Sequence, residues 1–105
     1  FGPMIMFGMG GTLVEQFKDI AFRIAPLSGE DIAEMIDATI AGKLLKGVRG
    51  SGRADIPAVQ NAIAALSQIA LDFPEIEEIE INPLVVYPDG EGALALDSRA
   101  VLRQG

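Results

Sequence analysis

The 105 residues contain no cysteine, no histidine and no tryptophan. Without cysteine there is neither a disulfide nor thiolate chemistry. Without histidine the commonest general base and the commonest metal ligand are both missing, and the chain cannot itself carry a phosphohistidine. Aromatic residues make up 6% and hydrophobic residues 50%, so aliphatic side chains must supply most of a core. Positive charge is also scarce, with 8 Lys and Arg against 15 Asp and Glu, a net charge of −7. The cations are scattered apart from a loose group at Lys43, Lys46, Arg49 and Arg53. Nucleic acid demands a clustered basic surface, so no nucleic-acid partner is expected. No apolar run approaches the roughly 20 residues of a membrane span, and no charged-then-apolar leader is present. The expectation is therefore no membrane and a cytoplasmic location. The length suits one domain with one core over residues 1–105. Phe1 opens almost directly onto an apolar run with no initiator Met, which reads as a piece of a longer protein.

Met4 to Met9 is continuously apolar and ends at Gly10-Gly11, which suits a strand buried on both faces. Val14 to Lys18 and Ile20 to Ala25 are further strand-like stretches, the latter alternating Ile20, Phe22 and Ile24 before Pro26 stops it. Ser28 has the character of an N-cap with Asp31 completing a capping box, and Ile32, Met35, Ile36 and Ile40 lie at helical spacing up to Gly42. A glycine-rich loop over 47–52 follows. Asp55 caps a second helix with Pro57 in its first turn. Its apolar stripe runs through Ile56, Val59, Ile63, Leu66, Ile69 and Phe73. Two strands, about 76–87 and 93–101, flank the turn-forming run Pro88-Asp89-Gly90-Glu91-Gly92. The reading is α+β, a mainly antiparallel sheet with two helices in the order βββααββ. The methionines are read as core filler, and Glu75, Glu77 and Glu78 as a solvated edge.

The closing hairpin carries the candidate chemistry. A turn centred on Asp89 and Gly90 places Asn82 opposite Asp97, and opposed residues have Cβ atoms about 5 Å apart on one face. Glu80, two residues before Asn82, points to that same face. An amide oxygen and carboxylates converging in this way form a hard oxygen site suited to Mg²⁺, which takes one or two protein carboxylates and completes its shell with phosphate and water. The alternative is a pair of strand-end charges. Apolar Ile79, Ile81, Leu84, Val85, Leu94 and Leu96 around them suggest that both faces are buried, and buried acids need partners. Gly10 and Gly11 either let backbone approach a phosphate closely or simply turn one strand into the next. Glu15 either reaches the active-site face or pairs with Lys18 at the surface. Arg49 is either a phosphoryl contact or a solvated loop arginine.

The run Glu80-Ile81-Asn82-Pro83-Leu84, followed by Ala95-Leu96-Asp97-Ser98-Arg99, resembles the closing hairpin of the ATP-grasp domain in NDP-forming acyl-CoA synthetases and succinyl-CoA synthetase β subunits. Phe7-Gly8-Met9-Gly10-Gly11-Thr12-Leu13-Val14-Glu15, Arg23-Ile24-Ala25-Pro26-Leu27 and Leu44-Leu45-Lys46-Gly47-Val48-Arg49-Gly50 are similar to the acyl-CoA synthetase branch in the same order. The resemblance implies the C-terminal subdomain of an ATP-grasp fold. It implies that Asn82 and Asp97 hold the Mg²⁺ bridging ATP phosphates, with Glu80 behind them or an occasional ligand. It also adds weight to the nucleotide-facing reading of Gly10 and Gly11, while Glu15 as a nucleotide contact and Arg49 as a catalytic phosphoryl contact rest on their own chemistry.

By the same resemblance, the parent is an acid–thiol ligase that couples acyl-CoA thioester chemistry to ATP and ADP through acyl phosphate and phosphohistidine. CoA is bound by other domains or subunits, and the isolated chain is inactive. A different class is implied by acyl-CoA-synthetase-like regions of protein lysine acetyltransferases, which sense ligand rather than catalyse. A plain interaction module is disfavoured by the intact Asn82–Asp97 pair. Uncovered apolar surface around Met4–Phe7 leads to an expectation of self-association.

Overall fold

The computed structural model describes residues 3–8, 20–47 and 52–104. Two strands open it, β1 (Met4–Gly8) and β2 (Ile20–Ile24), paired antiparallel with Met4 opposite Ile24 and Met6 opposite Phe22. Three helices follow, α1 (Gly29–Asp37), α2 (Ile40–Leu45) and α3 (Ile56–Asp72). The chain closes with β3 (Ile76–Ile81), β4 (Leu84–Val86), β5 (Ala93–Ala95) and β6 (Ser98–Leu102). The α+β class and the antiparallel pairing are as the sequence implies. The expected strand over Val14–Lys18 lies outside the described residues.

The core forms where the helices cover one face of β1 and β2. Ile5, Ala21 and Ala25 from that sheet meet Ile32, Met35 and Ile36 of α1 and Ile56, Val59 and Ile63 of α3. The opposite face is open: Met4, Met6, Phe22 and Ile24 are 57%, 56%, 56% and 49% exposed. β1 is thus buried on one face only rather than on both, the uncovered apolar surface expected around Met4–Phe7 is present, and Phe22 and Ile24 of β2 lie on the same open face. Ala21 of β2 and Ala25 just after it are the small residues that face the helices.

The single helix expected up to Gly42 is two helices. Ser28 does cap α1 in a full capping box, its Oγ accepting from the Asp31 N–H at 3.0 Å and its own N–H donating to Asp31 Oδ2 at 2.9 Å. The bond from the Ser28 N–H first, then the neighbouring Ser28 hydroxyl, with lesser help from Arg23, hold the Asp31 carboxyl below its ordinary value. At Thr39 the backbone turns extended and helix formation restarts. The buried Thr39 hydroxyl donates to the Ile36 carbonyl at 2.8 Å and accepts from the Gly42 N–H at 2.9 Å. One side chain thus closes α1 and caps α2, the competition with helical hydrogen bonding that threonine is suited to. Ile40 is consequently exposed, and Gly42 lies inside α2 rather than ending a helix.

Helix α3 matches its expected start and stop, with Asp55 as N-cap and Pro57 in the first turn. Its stripe is covered only in the first half: Ile56, Val59 and Ile63 are buried, whereas Ile69 and Phe73 are exposed.

The closing hairpin has the register expected from its turn. Leu84 pairs with Ala95 on the turn side and Ile81 with Ser98 on the far side. Each expected strand is split, because Pro83 has no N–H to give the ladder. Across the gap the Asn82 N–H donates to the Asp97 carbonyl at 3.1 Å and the Leu96 N–H to the Pro83 carbonyl at 3.1 Å. Gly90 and Gly92 take φ of 84° and 88° at the turn, the left-handed region that glycine tolerates.

Candidate functional site

The hairpin tip is fastened to the start of α3, and this fastening positions the site. The Asp55 N–H donates to the Tyr87 carbonyl at 2.9 Å, and the Asp89 N–H donates to the Arg53 carbonyl at 2.9 Å. The buried Asp55 carboxylate uses both oxygens, Oδ1 accepting from the Ala58 N–H at 3.1 Å and Oδ2 from the Gly92 N–H at 2.8 Å. The sequence shows the N-cap role but not the second bond, which links residues 37 apart in the chain. Asp55→Ala should cost about 2–3 kcal/mol by losing both bonds, and Asp55→Asn less because it keeps an acceptor for the cap. Urea unfolding midpoints of the two variants check the order.

From that anchor the hairpin register brings Asn82 opposite Asp97. Asn82 is half-buried and Asp97 exposed. Asp97 Oδ1 accepts from the Ser98 N–H at 2.9 Å. Its other oxygen and the Asn82 side-chain amide make no hydrogen bond or ion pair with any described residue. Two hard oxygen donors therefore stand at opposed positions with coordinating capacity to spare, which fits Mg²⁺. Among the described residues no group of three or more acidic side chains could hold a metal. One carboxylate and one amide oxygen are a sparse donor set, which would leave most of an ion's shell to phosphate and water.

Glu80 lies opposite Arg99, and Arg99 Nε is 3.4 Å from its Oε2. Arg99 Nη2 is 3.8 Å from Glu78 Oε2. These carboxylates are solvent-exposed, as are Leu94 and Leu96, so the expected burial of both hairpin faces is corrected. Desolvation therefore does not force Glu80 to find a partner; the facing register supplies one. Residues Gly10, Gly11, Glu15 and Arg49 lie outside the described residues. Two shallow hollows, lined by residues that include Arg53 and Tyr87 in one and Lys46 and Gln60 in the other, include neither Asn82 nor Asp97. The hairpin site is an open face.

Comparison with known proteins agrees with this architecture. A family model describing an ATP-grasp domain matches residues 1–102. The chain belongs to the ATP-grasp domain family. It is 45% identical over 102 residues to the β subunit of acetate–CoA ligase (ADP-forming) I of Pyrococcus furiosus, covering 97% of this chain and 43% of that protein. It is 44% identical over 102 residues to acetate–CoA ligase (ADP-forming) I of Archaeoglobus fulgidus, covering 97% of this chain and 15% of that protein. A solved structure of acetyl-coenzyme A synthetase 1 of Ca. Korarchaeum cryptofilum, in complex with coenzyme A and Mg-AMPPCP, superposes with a TM-score of 0.90 at 44% identity. The match covers 98% of this chain and 47% of that one. The chain therefore spans less than half the length of each of these relatives.

Proposed function

We propose that this chain supplies the metal-holding part of the nucleotide site in an ADP-forming acyl-CoA synthetase. The observation that carries the reading is the opposed pair Asn82 and Asp97, with side-chain oxygens unengaged by described residues, in a chain 44% identical to a synthetase that binds Mg-AMPPCP. Asn82 and Asp97 would hold Mg²⁺ against the phosphates of ATP or ADP, with Glu80 beside them. The ion would offset phosphate charge during transfer. Gly10, Gly11 and Glu15 would line the nucleotide and Arg49 would contact the transferred phosphoryl group.

The activity is the interconversion of acyl-CoA, phosphate and ADP with a carboxylic acid, CoA and ATP, through acyl phosphate and a phosphohistidine. With no histidine in the 105 residues, the relay residue belongs to another domain or subunit of the synthetase, and the family resemblance puts the CoA site there too. The relatives described above are ligases, which favours this reading over a ligand-sensing region of an acetyltransferase. Such a synthetase works in the cytoplasm. The Mg²⁺ dependence of ATP formation, compared between wild-type and Asp97→Asn synthetase, tests the assignment; an unchanged dependence overturns it.

The open face of Met4, Met6, Phe22 and Ile24 has a further consequence. A contiguous apolar patch of this kind is the sort of surface that association covers. The 105-residue chain alone should self-associate, and sedimentation equilibrium at rising concentration checks this. A strictly monomeric species would show that the patch is tolerated in water.

A further inference from the structure

We propose that Arg99 is a positioning residue that holds Glu80 away from the metal and thereby limits how tightly the hairpin binds a bare divalent cation. The inference rests on the Asn82–Asp97 metal site argued above. Residues 78, 80 and 82 on one strand and 97, 99 and 101 on the other alternate onto one face of an antiparallel pair. Glu78, Glu80 and Asp97 therefore share that face with Asn82, and Arg99 is the cation among them. Its guanidinium lies 3.4 Å from Glu80 and 3.8 Å from Glu78 while remaining 67% exposed. Pairs so exposed contribute little to stability, so a folding role does not account for the arrangement. Its electrostatic consequence is larger. With Arg99 in place Glu80 is engaged by an opposed cation, and Asp97 is the one acid of the face without an ion pair to a described residue. Without Arg99, Glu80 is free to turn toward the cation at Asn82 and Asp97 as a second carboxylate ligand, and a repelling positive charge is removed.

The variant therefore has a signature opposite to that of a structural residue: its loss tightens binding. Mn²⁺ alone, titrated into the protein and followed by paramagnetic broadening of the amides around residues 80–82 and 97–99, is the probe. Arg99→Met should bind Mn²⁺ roughly fivefold more tightly than wild type, from the released Glu80 carboxylate together with the lost repulsion in a solvated site. Arg99→Lys, which keeps the charge, should stay near wild type. Adding Glu80→Gln to Arg99→Met should remove the part of the gain that Glu80 supplies as a ligand, leaving Mn²⁺ binding between the two. Unchanged or weaker Mn²⁺ binding in folded Arg99→Met, while Asp97→Asn still abolishes broadening, overturns the role of Arg99 alone. Broadening at these amides that is indifferent to Asp97→Asn, or absent throughout, overturns the metal site and this proposal with it.

Discussion

Asp97→Asn should lower Mg²⁺- and nucleotide-dependent turnover of the synthetase by about a hundredfold or more, with its fold intact. A hard cation gains more from an anionic oxygen than from an amide, so the substitution keeps shape and removes the charge that matters. An ion that offsets phosphate charge during transfer contributes several kcal/mol to the transition state, and about 2.7 kcal/mol corresponds to a hundredfold in rate. Asn82→Ala should cost less, because it removes a neutral oxygen that water can partly replace. The fold should survive Asp97→Asn for a visible reason: Asp97 is exposed, and the one hydrogen bond its side chain makes to a described residue, from the Ser98 N–H, can be accepted equally by an asparagine oxygen. Steady-state kinetics against Mg²⁺ concentration, with circular dichroism as the folding control, decide the matter. Wild-type kinetics in a folded variant would make the opposed pair a structural feature of the turn.

What made that pair legible in advance was a local rule. A two-strand hairpin whose turn is marked by Asp89 and Gly90 has its register set by the turn, and Asn82 falls opposite Asp97 without knowledge of the rest of the fold. The same register places Arg99 opposite Glu80, so that contact was readable too. Caps were equally local: Ser28 and Asp55 each act on an N–H three residues ahead. The misreadings concern burial, which is not local. The apolar run at Met4–Phe7 and the Phe22, Ile24 alternation look alike whether the second face of the sheet is covered or open. Only the packing of α1 and α3 against Ile5, Ala21 and Ala25 shows which face the chain itself buries. Likewise the second oxygen of Asp55 reaches Gly92 across most of α3 and the hairpin, a contact that no spacing rule describes.

The helix break at Thr39 was missed for a related reason, and it leads to a large expected effect on stability. Gly42→Ala replaces glycine inside α2, a change that in an open helix would stabilise by roughly 0.5–1 kcal/mol through helix propensity. Here the opposite sign should win. A Cβ on Gly42 would overlap the Ile36 carbonyl far inside contact distance and also press on its side chain. The obstructing atoms are backbone, in the last turn of α1, so no rotamer change relieves them. Relief requires separating α1 from α2 at the point where the Thr39 hydroxyl ties the Ile36 carbonyl to the Gly42 N–H. That would break two buried hydrogen bonds and disturb Ile36 and Met35, which are among the most deeply buried side chains of the core. Overpacking of this kind together with the lost bonds should cost about 3 kcal/mol or more, lowering the thermal midpoint by roughly 12 °C or more in a domain of this size. Gly29→Ala is the matched control, since a Cβ there meets nothing within 4 Å, and it should leave the midpoint unchanged or slightly raised. Thermal unfolding of the two variants side by side gives the comparison. Equal midpoints would mean that α1 and α2 can shift apart freely, contrary to the tight approach at Gly42.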